Sequence, residues 1–102
     1  MKKLSALNVT LPVGYNVVTA RINYESNATG VRGILISIDG NVTDSQSMHV
    51  VTNAVSDFTT RILDTIVLKV DSDTPCYVYG YQTAGKTLDM ISTSEIRVLN
   101  LK

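Results

Sequence analysis

Residues 76–87 read CYVYGYQTAGKT, and two folds compete for them. From Gly80 to Thr87 the chain matches G-x-x-x-x-G-K-[ST], the pattern of a phosphate-binding loop, without a mismatch. In such a loop the glycines let backbone N–H groups face the phosphates, the lysine reaches the β and γ oxygens, and the hydroxyl holds Mg²⁺. The loop must also follow a buried strand and open a helix, whose N-terminal dipole supplies part of the attraction.

The upstream half meets that requirement, because Cys76 to Gln82 alternates like a strand. The downstream half does not. Only sixteen residues follow Lys86, and they read as two short strands, Thr87–Ile91 and Glu95–Leu101, parted by Ser92-Thr93-Ser94. The acid that would position Mg²⁺ is Asp71, but it precedes the glycines, and Lys69 interrupts the apolar run before it. A parallel nucleotide-binding sheet also needs crossovers of a dozen or more residues each, usually helical, and the chain has little helical pattern to build them. The stretch is therefore expected to be a hairpin, with Ala84-Gly85 at its tip, Lys86 exposed and Thr87 opening the return strand.

The rest of the chain agrees with this reading. Leu7, Val9 and Leu11 alternate with Asn8 and Thr10, and Pro12 and Gly14 close that strand. A second strand spans Tyr15–Tyr24, with Val18, Ala20, Ile22 and Tyr24 on one face and Val17, Thr19 and Arg21 on the other. Glu25 to Gly30 is polar turn material, and Val31–Ile38 is a third strand carrying Ile34, Ile36 and Ile38 on one side. Asp39-Gly40-Asn41 has the residues of a tight hairpin turn, and Ser47–Thr52 is a further short strand. Asn53–Asp64 mixes helical and strand spacing and is expected to be a loop with one helical turn. Ile66, Leu68 and Val70 alternate clearly before the turn Asp71–Pro75.

Short strands every 8–12 residues predict an all-β fold: one antiparallel β-sandwich or jelly roll, Ig-like or viral-type, of about seven or eight short strands. A chain of 102 residues is one domain, 1–102, with residues 1–6 expected as an extended N-terminal arm.

Tyr77, Tyr79 and Tyr81 alternate with Val78 and Gly80, so a strand places all three rings on one face. Such a face suits a protein partner or a stacked sugar, and it also suits rings that cover the sheet or pack beneath a loop. Other candidate chemistry is sparse. His49 has no second histidine or cysteine at ligand spacing. Asp39, Asn41 and Asp44 resemble a calcium loop, but Val50 stands where the bidentate glutamate belongs; Asp71 and Asp73 form a second oxygen pair in a turn. Cys76 has no identifiable base and cannot form an internal disulfide. No catalytic residue, metal site or cofactor is expected from these residues.

Nine basic residues balance nine acidic ones, and no arginine or lysine run accompanies the tyrosines, so neither nucleic acid nor an anionic membrane is expected as a partner. The opening MKKLSALNVT lacks the apolar core of a signal peptide and is read as a mature N-terminus. The three N-x-T triplets at Asn8, Asn27 and Asn41 are then read as turn and strand-face chemistry rather than as glycan acceptors.

The stretch Leu7-Asn8-Val9-Thr10-Leu11-Pro12-Val13-Gly14-Tyr15 resembles the first strand and turn of small β domains found in bacteriophage virion proteins, including fibre tips and capsid accessory proteins. Ile96-Arg97-Val98-Leu99-Asn100-Leu101-Lys102 is similar to the way many of those domains finish. The resemblance covers only the two ends. Many fibre tips are richer in aromatic residues and glycine and carry a shaft, a departure that favours an accessory protein. What the resemblance implies is a non-enzymatic decoration protein, assembled in the host cytoplasm into the virion, with other capsid or fibre proteins as partners and a homo-oligomer such as a trimer among the possible states. The alternatives are a glycan-binding receptor-recognition module using Tyr77, Tyr79 and Tyr81, and a nucleotide-binding protein using GYQTAGKT.

Overall fold

Alternation builds two layers. In the computed structural model, which describes residues 2–24, 30–43, 48–54, 60–83 and 94–101, the strands are β1 (Lys2–Lys3), β2 (Val9–Leu11), β3 (Gly14–Tyr24), β4 (Val31–Ser37), β5 (Val50–Asn53), β6 (Thr60–Val70), β7 (Thr74–Gln82) and β8 (Glu95–Leu101). They form two antiparallel sheets. In the first, β7 and β4 are central, with β5 beside β4 and both β1 and β2 along the far side of β7. The second has the order β6-β3-β8. The chain passes between the sheets from β2 to β3, β3 to β4, β5 to β6, β6 to β7 and β7 to β8, which makes it an all-β, sandwich-like domain.

The core lies between the layers. Val18, Ala20, Ile22 and Tyr24 of β3 face Ile34 and Ile36 of β4 and Cys76 and Val78 of β7, with Leu7 and Leu11 closing one side and Ile62 and Val70 the other. A buried amide pins the corner between β2 and β3. Asn16 donates to the carbonyls of Pro12 (3.0 Å) and Gly14 (3.1 Å), and its own oxygen accepts from Asn100 at 3.0 Å. The chain can make this corner because Gly14 takes φ 117, a conformation that costs glycine little.

Several sequence-based boundaries change. The residues read as an N-terminal arm lie along the domain: Lys2 and Lys3 pair with Gly80 and Tyr79, and Leu4 donates to the Val78 carbonyl at 2.8 Å. A 3-10 turn at Ser5–Leu7 then buries Leu7, so Leu7 belongs to that turn and not to the first strand. Asp39–Asn41 is not a tight hairpin tip, because β4 and β5 pair only from Ile34 and Val50 outward. Instead the Asp39 carboxylate accepts from the Asn41 N–H at 2.9 Å, a local turn within a longer connection, and Ile38 is exposed. Residues 60–64 are strand rather than loop, extending β6 to eleven residues paired in register with β3. The expected strand Thr87–Ile91 and the hairpin tip Ala84-Gly85 lie outside the described residues, as do Lys86 and Asp44.

Candidate functional site

Residues 80–83 of the phosphate-loop pattern are described, and the first three of them are strand. Gly80, Tyr81 and Gln82 pair with Ile34, Gly33 and Arg32 of β4, while Gly80 also pairs with Lys2. A glycine in that position serves packing. A β-carbon on Gly80 would come within 2.6 Å of the Tyr24 hydroxyl and 3.3 Å of Leu4 Cδ1. The Tyr24 hydroxyl donates to the Gly33 carbonyl (3.0 Å) with the Tyr81 carbonyl nearby (3.4 Å), and burial pushes its pKa up to about 12. Beyond Thr87, the last residue of the pattern, the next described element, Glu95–Leu101, is the strand β8.

Tyr77, Tyr79 and Tyr81 share the outer face of the first sheet, but they differ in access. Tyr79 is buried: its hydroxyl donates to the Asp39 carbonyl at 2.7 Å and accepts from the Val42 N–H at 3.3 Å, beneath the connection that follows β4. Tyr77 is half-buried, with the Lys3 ammonium 4.6 Å from its ring centroid and that same ammonium donating to the Gly40 carbonyl at 2.9 Å. Tyr81 is half-buried across from Gly33, over whose α-carbon Met48 packs. The three rings therefore do not form one open platform.

Cys76 faces the core, where burial raises its pKa, partly offset by a hydrogen bond from the Tyr77 backbone, and keeps it in the unreactive thiol form. His49 is exposed, yet its Nδ1 lies 2.7 Å from Oδ1 of the buried Asp64, whose Oδ2 has no hydrogen-bond partner. This acid–imidazole pair was not visible in sequence. Among the described residues, no three His, Cys, Asp or Glu side chains gather closely enough to hold a metal ion.

Among the described residues, exposed apolar side chains gather on the outer face of the three-stranded sheet. The register puts Lys69, Tyr15 and Leu101 in one row, Val67, Val17 and Leu99 in the next, then Thr65, Thr19 and Arg97, and finally Leu63, Arg21 and Glu95. The first two rows are mostly apolar and open: Tyr15 is 51% exposed, Val67 58%, Leu99 61% and Leu101 50%. A polar band borders them, made of Thr19 and Thr65, whose hydroxyls lie 3.1 Å apart, and of Glu95, which pairs with Arg21 at 3.5 Å and Arg97 at 3.3 Å. A dense apolar cluster rimmed by polar and charged groups is the pattern of a surface that meets another protein.

Comparison with protein-family models, with curated proteins and with solved structures returns no match. What the fold and this surface define is a class: a small antiparallel β domain whose three-stranded sheet, among the described residues, has an open apolar outer face.

Proposed function

We propose that the chain is a non-enzymatic structural protein of a virus particle, an auxiliary or decoration protein that docks on the capsid or a fibre through the outer face of its three-stranded sheet. The observation that carries this reading is the apolar cluster of exposed Tyr15, Val67, Leu99 and Leu101 around the half-buried Val17, which no described residue covers. Burying such a cluster against a partner releases about 25 cal/mol per Å² of apolar surface, a driving force that needs neither net charge nor a cofactor. Support for the virion setting comes from the resemblance at the two ends. Tyr15, from the opening stretch, pairs with Leu101, from the closing strand, so both stretches contribute to this one surface.

Glycan recognition by Tyr77, Tyr79 and Tyr81 has weaker support, because Tyr79 is withdrawn beneath Asp39 and Val42 and the Tyr77 ring already carries the Lys3 ammonium.

Mass spectrometry of density-banded particles of the encoding virus tests the proposal. The chain should band with the particles in many copies. Finding it only in the soluble fraction of the lysate would refute the reading.

A further inference from the structure

The two sheets have four edges, and among the described residues three of them carry devices that discourage pairing with another strand. The β1/β2 edge is broken by the turn Ser5–Leu7 and carries Lys3. The β5 edge is only four residues long. The β6 edge carries Arg61 and Lys69 on its outer face and points the carboxyl group of Asp64 inward. Short strands, interruptions, lysines and inward charges are how natural sheets protect their edges.

The β8 edge has none of these along its second half. Among the described residues β8 pairs with β3 alone, and Val98-Leu99-Asn100-Leu101 contains no charge, proline or glycine. Its two charged residues, Glu95 and Arg97, sit at the start and are joined to each other and to Arg21. Val98 and Leu99 remain exposed on opposite faces of the strand.

We propose that β8 pairs with β8 of a second copy of this chain, antiparallel about a two-fold axis through Val98. The occupant follows from the strand itself. With the axis at Val98 each of the seven residues from Glu95 to Leu101 faces one from the second copy, so the strand saturates the edge that is unpaired among the described residues. In this register Glu95 meets Leu101, Ile96 meets Asn100 and Arg97 meets Leu99, so no two like charges stand directly opposite. An axis one pleat earlier, at Arg97, would set arginine against arginine. The product is a six-stranded sheet, β6-β3-β8 joined to its symmetry mate. Each three-stranded face projects roughly 36 Å by 14 Å, about 500 Å² from strand rise and spacing. Joining two gives about 1,000 Å², enough for a standard protein–protein footprint of about 800 Å² per partner. The pairing uses the strand edge rather than the apolar face, so it does not depend on what covers that face.

Sedimentation velocity over a dilution series tests it. The wild-type chain should sediment as a dimer, twice the 11.1 kDa of the monomer. Leu99→Lys places an ammonium opposite Arg97 of the second copy, twice per dimer, and should weaken the dimer by about tenfold, whereas Leu99→Glu at the same position should strengthen it. Val67→Lys, two strands from the edge, should leave the dimer intact. Circular dichroism confirms that each variant is folded. A wild-type monomer at every concentration, equal weakening by Leu99→Lys and Leu99→Glu, or dissociation by Val67→Lys would each overturn the proposal.

Discussion

The hydroxyl of Tyr24 lies 2.6 Å from the point a β-carbon on Gly80 would occupy. Gly80 faces the core from β7, and the phenol at the end of β3 crosses it to reach the Gly33 carbonyl. Any side chain at position 80 must displace that ring. Gly80→Ala is expected to cost about 1–3 kcal/mol, the usual range for overpacking. Tyr24→Phe removes the obstructing oxygen, so the double variant should lose less than the sum of the two single losses. Urea denaturation of the four proteins measures this coupling.

The same phenol makes the fold sensitive to alkali. Its pKa is 10.0 unburied and about 12 in the folded chain. Below pH 10 both states keep the proton and the contribution is complete. Above it the unfolded chain ionises first, and the contribution is lost as pH rises to about 12. A two-unit difference corresponds to about 2–3 kcal/mol. Denaturation midpoints between pH 9 and pH 12 should fall, and Tyr24→Phe should flatten that part of the profile.

Asp64 is buried with one oxygen unpartnered and the other held by His49. Removing His49 leaves the carboxylate without a partner, so His49→Ala should destabilise by about 1–3 kcal/mol. Asp64→Val makes the inward row of β6 continuously apolar from Ile62 to Val70, and in that background His49→Ala should cost almost nothing. Thermal denaturation of the pair and the double variant measures the difference.

Gly30 has φ 80, and a β-carbon there would collide with the Thr83 carbonyl and hydroxyl. Thr83 clamps the start of β4, accepting from the Val31 N–H at 2.9 Å and donating its own N–H to the Val31 carbonyl at 3.2 Å. Gly30→Ala should cost about 2–3 kcal/mol. Gly40→Ala is the control: its β-carbon would touch the Tyr77 ring at an ordinary 3.4 Å, and less than about 1 kcal/mol should be lost. Chemical denaturation separates the two.

The layers were legible wherever the period-2 pattern is unbroken. Val18, Ala20, Ile22 and Tyr24 announce the buried face of β3, and β8 has the bounds that its alternation suggests. β6 was hidden because Asp64 occupies an inward position, so a strand from Thr60 onward looks irregular until its partner Ala20 is known. Tyr77, Tyr79 and Tyr81 could be placed on one side, but their cover comes from Lys3 and Asp39, residues distant in the chain. The apolar surface was hidden for a different reason. Tyr15, Val67 and Leu99 are far apart in sequence, and periodicity alone does not say which face of a strand meets water. Gly80 is similar, since its role comes from Tyr24 on another strand rather than from the glycines and lysine around it.

Co-sedimentation of purified chain with virus particles stripped of it tests the docking reading most directly. The account predicts that wild type, Tyr77→Ala and Lys86→Ala pellet with the particles, while Val67→Lys, which alters only the open sheet face, stays in solution. Pelleting of Val67→Lys at the wild-type level, or loss of pelleting only in Tyr77→Ala, would contradict it.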